Sequence, residues 1–177
     1  MSGGQDSLSG LPAGRGKMEM TIFERSVDIK ASPQEVFEFH LRPANLARLM
    51  PPFIRSEIVA PYSPSRAGDT QTIVIRLPFI ALKWDAAITK VGEGLLEDVQ
   101  VSGPFRSWRH EHRVEDIGGG GARLTDRVEF RFLPGALGRL DPWLVRPLLA
   151  LAFAHRHRKM VELFRVPGHL ARKTMRG

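Results

Sequence analysis

Two histidines two residues apart, His110 and His112 in the stretch GPFRSWRHEHRVED, are the residues whose type and spacing point most directly to chemistry. In a strand, alternate side chains share a face, so Trp108, His110, His112 and Val114 lie on one side. Ser107, Arg109, Glu111, Arg113 and Glu115 lie on the other, a charged set suited to solvent, which turns the Trp/His/His/Val set inward. The next strand segment, ARLTDRVEFRFL, sorts in the same way: Leu124, Asp126, Val128, Phe130 and Phe132 form the inward set, against Arg123, Thr125, Arg127, Glu129 and Arg131. If the chain folds back around Gly119 or Gly120, His112 lies opposite Asp126 or one diagonal step away.

An inward imidazole beside an inward carboxylate suggests three kinds of chemistry. Two histidines plus Asp126 have the composition of a two-His, one-carboxylate metal site, but such spacing arises on any strand face, so no metal is assigned. His112 oriented by Asp126 has the parts of a general acid–base pair, which makes His110, His112 and Asp126 the catalytic candidates, although no activated nucleophile accompanies them. The reading preferred here makes these groups the polar end of a mostly apolar pocket, where they satisfy one another and offer partners to a ligand's oxygen atoms. The segment before them, LLEDVQVS, is ambiguous. A turn near Pro104 sets Asp98 and Gln100 inside beside His110 and Trp108, whereas a bulge turns Val99 and Val101 inward instead.

The elements that position these residues can be read along the chain. MTIFERSVDI alternates as a strand. SPQEVFEFHL follows as a helix with Ser32 as N-cap, Pro33 in its first position and Glu35 completing a capping box. NLARLM is a second short helix, stopped by Pro51 and Pro52. Six strand segments then run from RSEIVA to ARLTDRVEFRFL. LPGALGRL reads as a loop. Asp141 as N-cap and Pro142 in the first position open a long helix reaching about Arg165, with Pro147 in its second turn to kink or delay it. Its apolar stripe is Leu149, Phe153, Met160 and Phe164. His40 reads as a cation at a helix C-terminus, and Arg156 as a side chain that more commonly snorkels outward than anchors an acidic ligand headgroup. Phe37, Trp84 and Phe153 read as core or cavity wall. One strand, two short helices, six strands in meander and a terminal helix predict an α+β fold on an antiparallel sheet.

A chain of 177 residues suits one domain, taken as residues 19–167, between a Gly/Ser-rich tail at 1–18 expected to be disordered and a basic tail at 168–177. The absence of cysteine excludes disulfides, thiolate catalysis and cysteine metal sites, and makes the cytoplasm the default location. The net charge of +7 would suit acidic partners, but its basic residues are interleaved with acids, so nucleic acid is not expected as a partner. The most apolar run, PWLVRPLLALAFA, carries Arg146 and is shorter than the ~20 residues a membrane span needs, so stable membrane insertion is not expected either. Oligomeric state is left open.

The element order across roughly residues 20–166, with the text SPQEVFEFHLRPANLARLMPPF, DVQVSGPFRSWRHEHRVED and LTDRVEFRFLPG, resembles the START-like, or SRPBCC, superfamily, and within it the bacterial ligand-binding proteins of unassigned substrate. That resemblance implies a helix-grip fold: a curved antiparallel sheet wrapped around a long C-terminal helix, with a cavity between them for a hydrophobic or amphipathic small molecule. The expected function is therefore a carrier or sensor of a lipid, polyketide or aromatic molecule, without a cofactor. A polyketide cyclase- or hydratase-like enzyme using the His/Asp cluster is one alternative, and a protein-binding helper of the co-chaperone kind is another. The residues expected to meet the ligand are Trp108, His110, His112, Asp126, Val128, Phe130, Phe37, Trp84, Gln100 and Phe153.

Overall fold

The structure, a computed structural model, describes residues 20–52, 54–60, 62–76 and 79–165. The tails expected at 1–18 and 168–177 lie outside them. Seven antiparallel strands form one sheet: β1 (Thr21–Ile29), β2 (Arg55–Val59), β3 (Thr70–Arg76), β4 (Ala81–Gly92), β5 (Leu95–Ser102), β6 (Ser107–Gly118) and β7 (Gly121–Arg131). Their order is β1-β7-β6-β5-β4-β3-β2, so the meander from β2 to β7 closes with β7 beside β1. The sheet curls around the C-terminal helix α4 (Arg146–Phe164), as a helix-grip fold requires.

The first helix, α1 (Pro33–His40), starts where its capping chemistry dictates. Ser32 Oγ accepts the Glu35 backbone N–H, and Glu35 Oε2 accepts the Ser32 backbone N–H in return. That reciprocal pair satisfies two amides the first helical turn leaves without partners. A 3-10 turn at Pro43–Asn45 leads into α2 (Leu46–Leu49).

The β6–β7 ladder has the alternation expected from sequence, with the hairpin closing at Gly118↔Gly121. Trp108, His110, His112 and Val114 are buried on β6, and Leu124, Asp126, Val128 and Phe130 on β7. Phe132 departs from that set: β7 ends at Arg131, and the ring beyond it is 40% exposed. The outer face is less plainly solvated than its charges imply. Glu97 is only 4% exposed there and accepts hydrogen bonds from Arg109, Lys90 and Thr89.

On β5 the pairs Leu96↔His112 and Asp98↔His110 resolve the ambiguity in favour of Asp98 inside. The ladder ends at Val99↔Arg109, and Gln100 turns to the β5–β6 connection instead of the interior. Its Nε2 donates to Phe105 O at 2.6 Å and its Oε1 accepts the Phe105 N–H at 3.2 Å, which fastens the turn.

The expected single helix from Asp141 is two: α3 (Asp141–Leu144) and α4, divided at Val145. Pro147 explains the break, since it has no N–H for the carbonyl four residues back and its ring crowds that carbonyl. Asp141 is not a cap. It is fully buried and its carboxylate accepts the N–H groups of Phe132 and Leu133 at 2.8 and 3.0 Å, locking the end of β7 against α3. The preceding loop contains a 3-10 turn over Gly135–Leu140. On α4, Phe153 and Met160 are buried and Leu149 and Phe164 pack beside the core clusters, as the apolar stripe predicts.

Two apolar clusters form the core. Ile29, Val36, Phe39, Leu49, Val114, Ala122, Leu124 and Met160 make one; Phe23, Trp108, Val128, Phe130, Val145 and Phe153 make the other. The cross-strand pairs Val114↔Leu124 and Trp108↔Phe130 belong one to each, and His112↔Asp126 falls between them. A buried polar layer therefore separates the two halves of the core.

Candidate functional site

Asp126 is the centre of that layer. Its side chain is 1% exposed, and three imidazoles surround it. His110 Nε2 donates to Oδ1 at 2.9 Å, and His157 Nε2, from α4, donates to Oδ2 at 2.5 Å. His112 Nδ1 lies 2.6 Å from Oδ1, at an angle too bent for a well-formed hydrogen bond. Burial by itself would raise the Asp126 carboxyl, but the adjacent His112 and the ring N–H groups outweigh it and hold the acid well below the usual carboxylate range. The neighbouring imidazoles move so as to stay neutral. Burial lowers His110, and burial together with the adjacent His110 brings His112 down to about 4.

Beyond the histidines lies a cavity of about 290 Å³ between the sheet and the helices. Ile58, Ile73, Ile75, Leu49 and Leu149 supply much of an apolar wall, and His110, His112, Asp98 and Arg156 mark its polar part. Asp98 Oδ2 stands 3.7 Å from His110 Nδ1. Burial raises the Asp98 carboxyl to about 6, against the pull of His112 and Arg156.

Of the residues expected to meet a ligand, Trp84, Trp108, His110, His112 and Phe153 line this cavity. Asp126 sits behind the histidines, Val128 and Phe130 are wholly buried in the core, Phe37 packs on the other core cluster, and Gln100 holds its turn. Two side chains depart from their expected roles. His40 donates from Nδ1 to the Val36 carbonyl at 2.8 Å, as a helix-end residue can, but burial lowers its pKa to about 3, so it is a neutral group on the cavity wall and no cation. Arg156 does not snorkel outward; it lines the cavity with its guanidinium 4.9 Å from the Phe153 ring centroid.

His157 was missed by sequence reasoning, and for Arg156 the less favoured of its two readings, a side chain turned to a ligand, is the one that agrees with its place on the cavity wall. The signal for His157 was its position four residues after Phe153, on a helix face already read as buried. Among the described residues, Asp98, His110 and His112 form the one group that could hold a metal ion, with one donor atom from each lying within 4.8 Å of the others. Asp126, the carboxylate whose type and spacing had the composition of such a site, has both oxygens turned to imidazoles.

A curled antiparallel sheet gripping a C-terminal helix over an apolar cavity defines the START-like, or SRPBCC, superfamily. Residues 20–165 match the family described as polyketide cyclase / dehydrase and lipid transport, and the chain belongs to it. A protein from Thermus thermophilus is similar in fold, with a TM-score of 0.66 at 14% identity over 86% of this chain and 99% of that one. A START superfamily protein from Mycobacterium smegmatis is similar at TM-score 0.64 and 13% identity, over 81% of this chain and 97% of its own. A nucleoside-diphosphate sugar epimerase from Corynebacterium glutamicum shares 28% identity at TM-score 0.57, over 81% of this chain but only 29% of its own. No curated protein matches the chain. Among the described residues no helix is long and apolar enough to cross a membrane.

Proposed function

We propose that the protein carries or senses a hydrophobic or amphipathic small molecule, of lipid, polyketide or aromatic type, held in the cavity between sheet and α4. The observation that supports this most is the cavity itself: about 290 Å³ of open volume walled largely by isoleucine, leucine and aromatic side chains, with its polar groups gathered around Asp98, His110 and His112. Apolar volume of this kind favours ligand burial, and a few polar groups fix which end of the ligand goes where. Trp84 and Arg156 stand on the cavity wall, and their Nε1 and Nε atoms are buried without hydrogen-bond partners. A second reading, acid–base catalysis of the cyclase or hydratase kind, draws on the cluster around Asp126 and on the Asp98 carboxyl, whose raised value of about 6 suits proton exchange near neutral pH. Open volume beside the cluster favours either reading over a protein-binding helper, which needs no such space. Native mass spectrometry of the purified protein tests the proposal: a retained lipid, polyketide or aromatic molecule supports it, whereas protein that takes up no apolar molecule even when offered one refutes it.

A further inference from the structure

The hydrogen bonds of Asp126 determine more than their own geometry. A carboxylate oxygen only accepts, so a ring nitrogen within hydrogen-bonding distance of one carries the proton. His110 therefore bears its proton on Nε2 and keeps a lone pair on Nδ1, while His112 bears its proton on Nδ1 and keeps a lone pair on Nε2. The His110 lone pair faces Asp98: Nδ1 and Asp98 Oδ2 stand 3.7 Å apart, beyond hydrogen-bonding distance. Two acceptors facing each other in a site this buried want a positive species between them. Their separation is close to the ~3.4 Å that divides two ligands of a tetrahedral ion whose bonds are about 2.1 Å long.

We propose that Asp98, His110 and His112 bind one divalent ion of the zinc type at the polar end of the cavity, with Asp126 orienting both imidazoles from behind. The three residues offer one donor atom each, all within 4.8 Å of one another. Their chemistry selects the class of metal. Two imidazoles and a carboxylate suit zinc, cobalt, nickel or iron, whereas magnesium and calcium prefer oxygen-only shells. A carboxylate bonded to the far side of a ligating imidazole fixes its tautomer and strengthens it as a donor, the arrangement Asp126 already provides. Three protein ligands beside an open cavity leave a coordination position free for water or for an oxygen atom of a bound molecule. Arg156 lines the same cavity, so an anionic oxygen at that position would meet the ion and the guanidinium together. This site is independent of the ligand-carrier reading, since an ion could bind whether or not an apolar molecule enters.

The test is calorimetric titration of the chelator-stripped protein with Zn²⁺, Co²⁺ and Mg²⁺. One Zn²⁺ or Co²⁺ should bind per chain at roughly micromolar dissociation constant or below, with Co²⁺ giving the visible absorption of a four- or five-coordinate centre, and Mg²⁺ should not compete. Asp98→Asn and His112→Ala should each weaken Zn²⁺ binding by at least about 100-fold, and Asp126→Asn by about 10–100-fold. His155→Ala, a histidine outside the group, should leave it unchanged. If Asp126→Asn fails to fold, Asp98→Asn still decides the question, with near-ultraviolet circular dichroism to verify its packing. Absence of Zn²⁺ binding above the Mg²⁺ level, or binding that survives Asp98→Asn, overturns the proposal; in the first case Asp98 and His110 share a proton instead of an ion.

Discussion

His112 and Asp126 are direct cross-strand partners, and Asp126 Oδ1 receives both His112 and His110 while Oδ2 receives His157 from α4. One carboxylate thus ties two strands to the helix across a layer that divides an otherwise apolar core. Removing its charge should be costly, because hydrogen bonds to a charged group contribute about 1.5–3 kcal/mol each and the imidazoles left behind stay buried. Asp126→Asn should lower unfolding stability by about 3 kcal/mol or more in urea titration. A loss under about 1 kcal/mol would mean the cluster is not a structural tie.

His112→Ala should behave differently. Its ring lines the cavity, so truncation enlarges a space that already exists, and its bent approach to Asp126 makes it the weakest of the three bonds. The fold should survive with a loss of about 1–2 kcal/mol, while the relative affinities for polar-ended and fully apolar probes shift. Unchanged selectivity together with unfolding would assign His112 a purely structural part.

Phe153→Ala tests the grip of α4. The ring is 3% exposed, 5.3 Å from the Phe23 ring and 5.3 Å from the His110 ring. Its loss should cost about 3–5 kcal/mol, read as a shift in denaturation midpoint. A cost below about 1 kcal/mol would place the wrong face of α4 against the sheet.

Acidification should destabilise the metal-free protein. His40 and His112 fall on folding from 6.5 to about 3 and about 4, and His110 is lowered too, so the unfolded chain takes up those protons first and stability is lost as pH drops below 6.5. Asp98 opposes this. Raised from 3.8 to about 6, it is protonated earlier in the folded state and adds stability as pH falls through that window. Three depressed imidazoles against one raised carboxyl make the net a falling melting temperature from about pH 7 to about 4.5. Asp98→Asn should steepen the fall and raise the melting temperature near neutral pH, where the buried carboxylate would otherwise be ionised. A melting temperature that rises on acidification contradicts these assignments.

How much of this was legible in the sequence depends on the range of the signal. The inward faces of β6 and β7 and the pairing of His112 with Asp126 follow from alternation and a glycine turn, both local. Ser32 and Glu35 marked the start of α1 within a single helical turn. Asp98 was ambiguous because alternation fits two registers and only the β5–β6 pairing selects one. Asp141 misled because an aspartate before a proline has the local look of an N-cap, while its actual partners, Phe132 and Leu133, come from the end of another element. Helical spacing from Phe153 turns His157 inward, but that it meets Asp126, and that Arg156 meets the cavity, depends on the packing of α4 on the sheet. The wall formed by Leu49, Ile58 and Ile73 was hidden for the same reason: each residue was readable as apolar, but not as facing a space.

Titration with an apolar fluorescent dye tests whether the cavity is a ligand site, comparing the native chain with Ala152→Trp, which places an indole at a position on the cavity wall. One dye should bind saturably per native chain, be displaced by fatty acids or polycyclic aromatics, and bind at least about tenfold more weakly to the folded variant. Dye binding that is absent, or equally tight after the cavity is filled, would contradict a ligand site there.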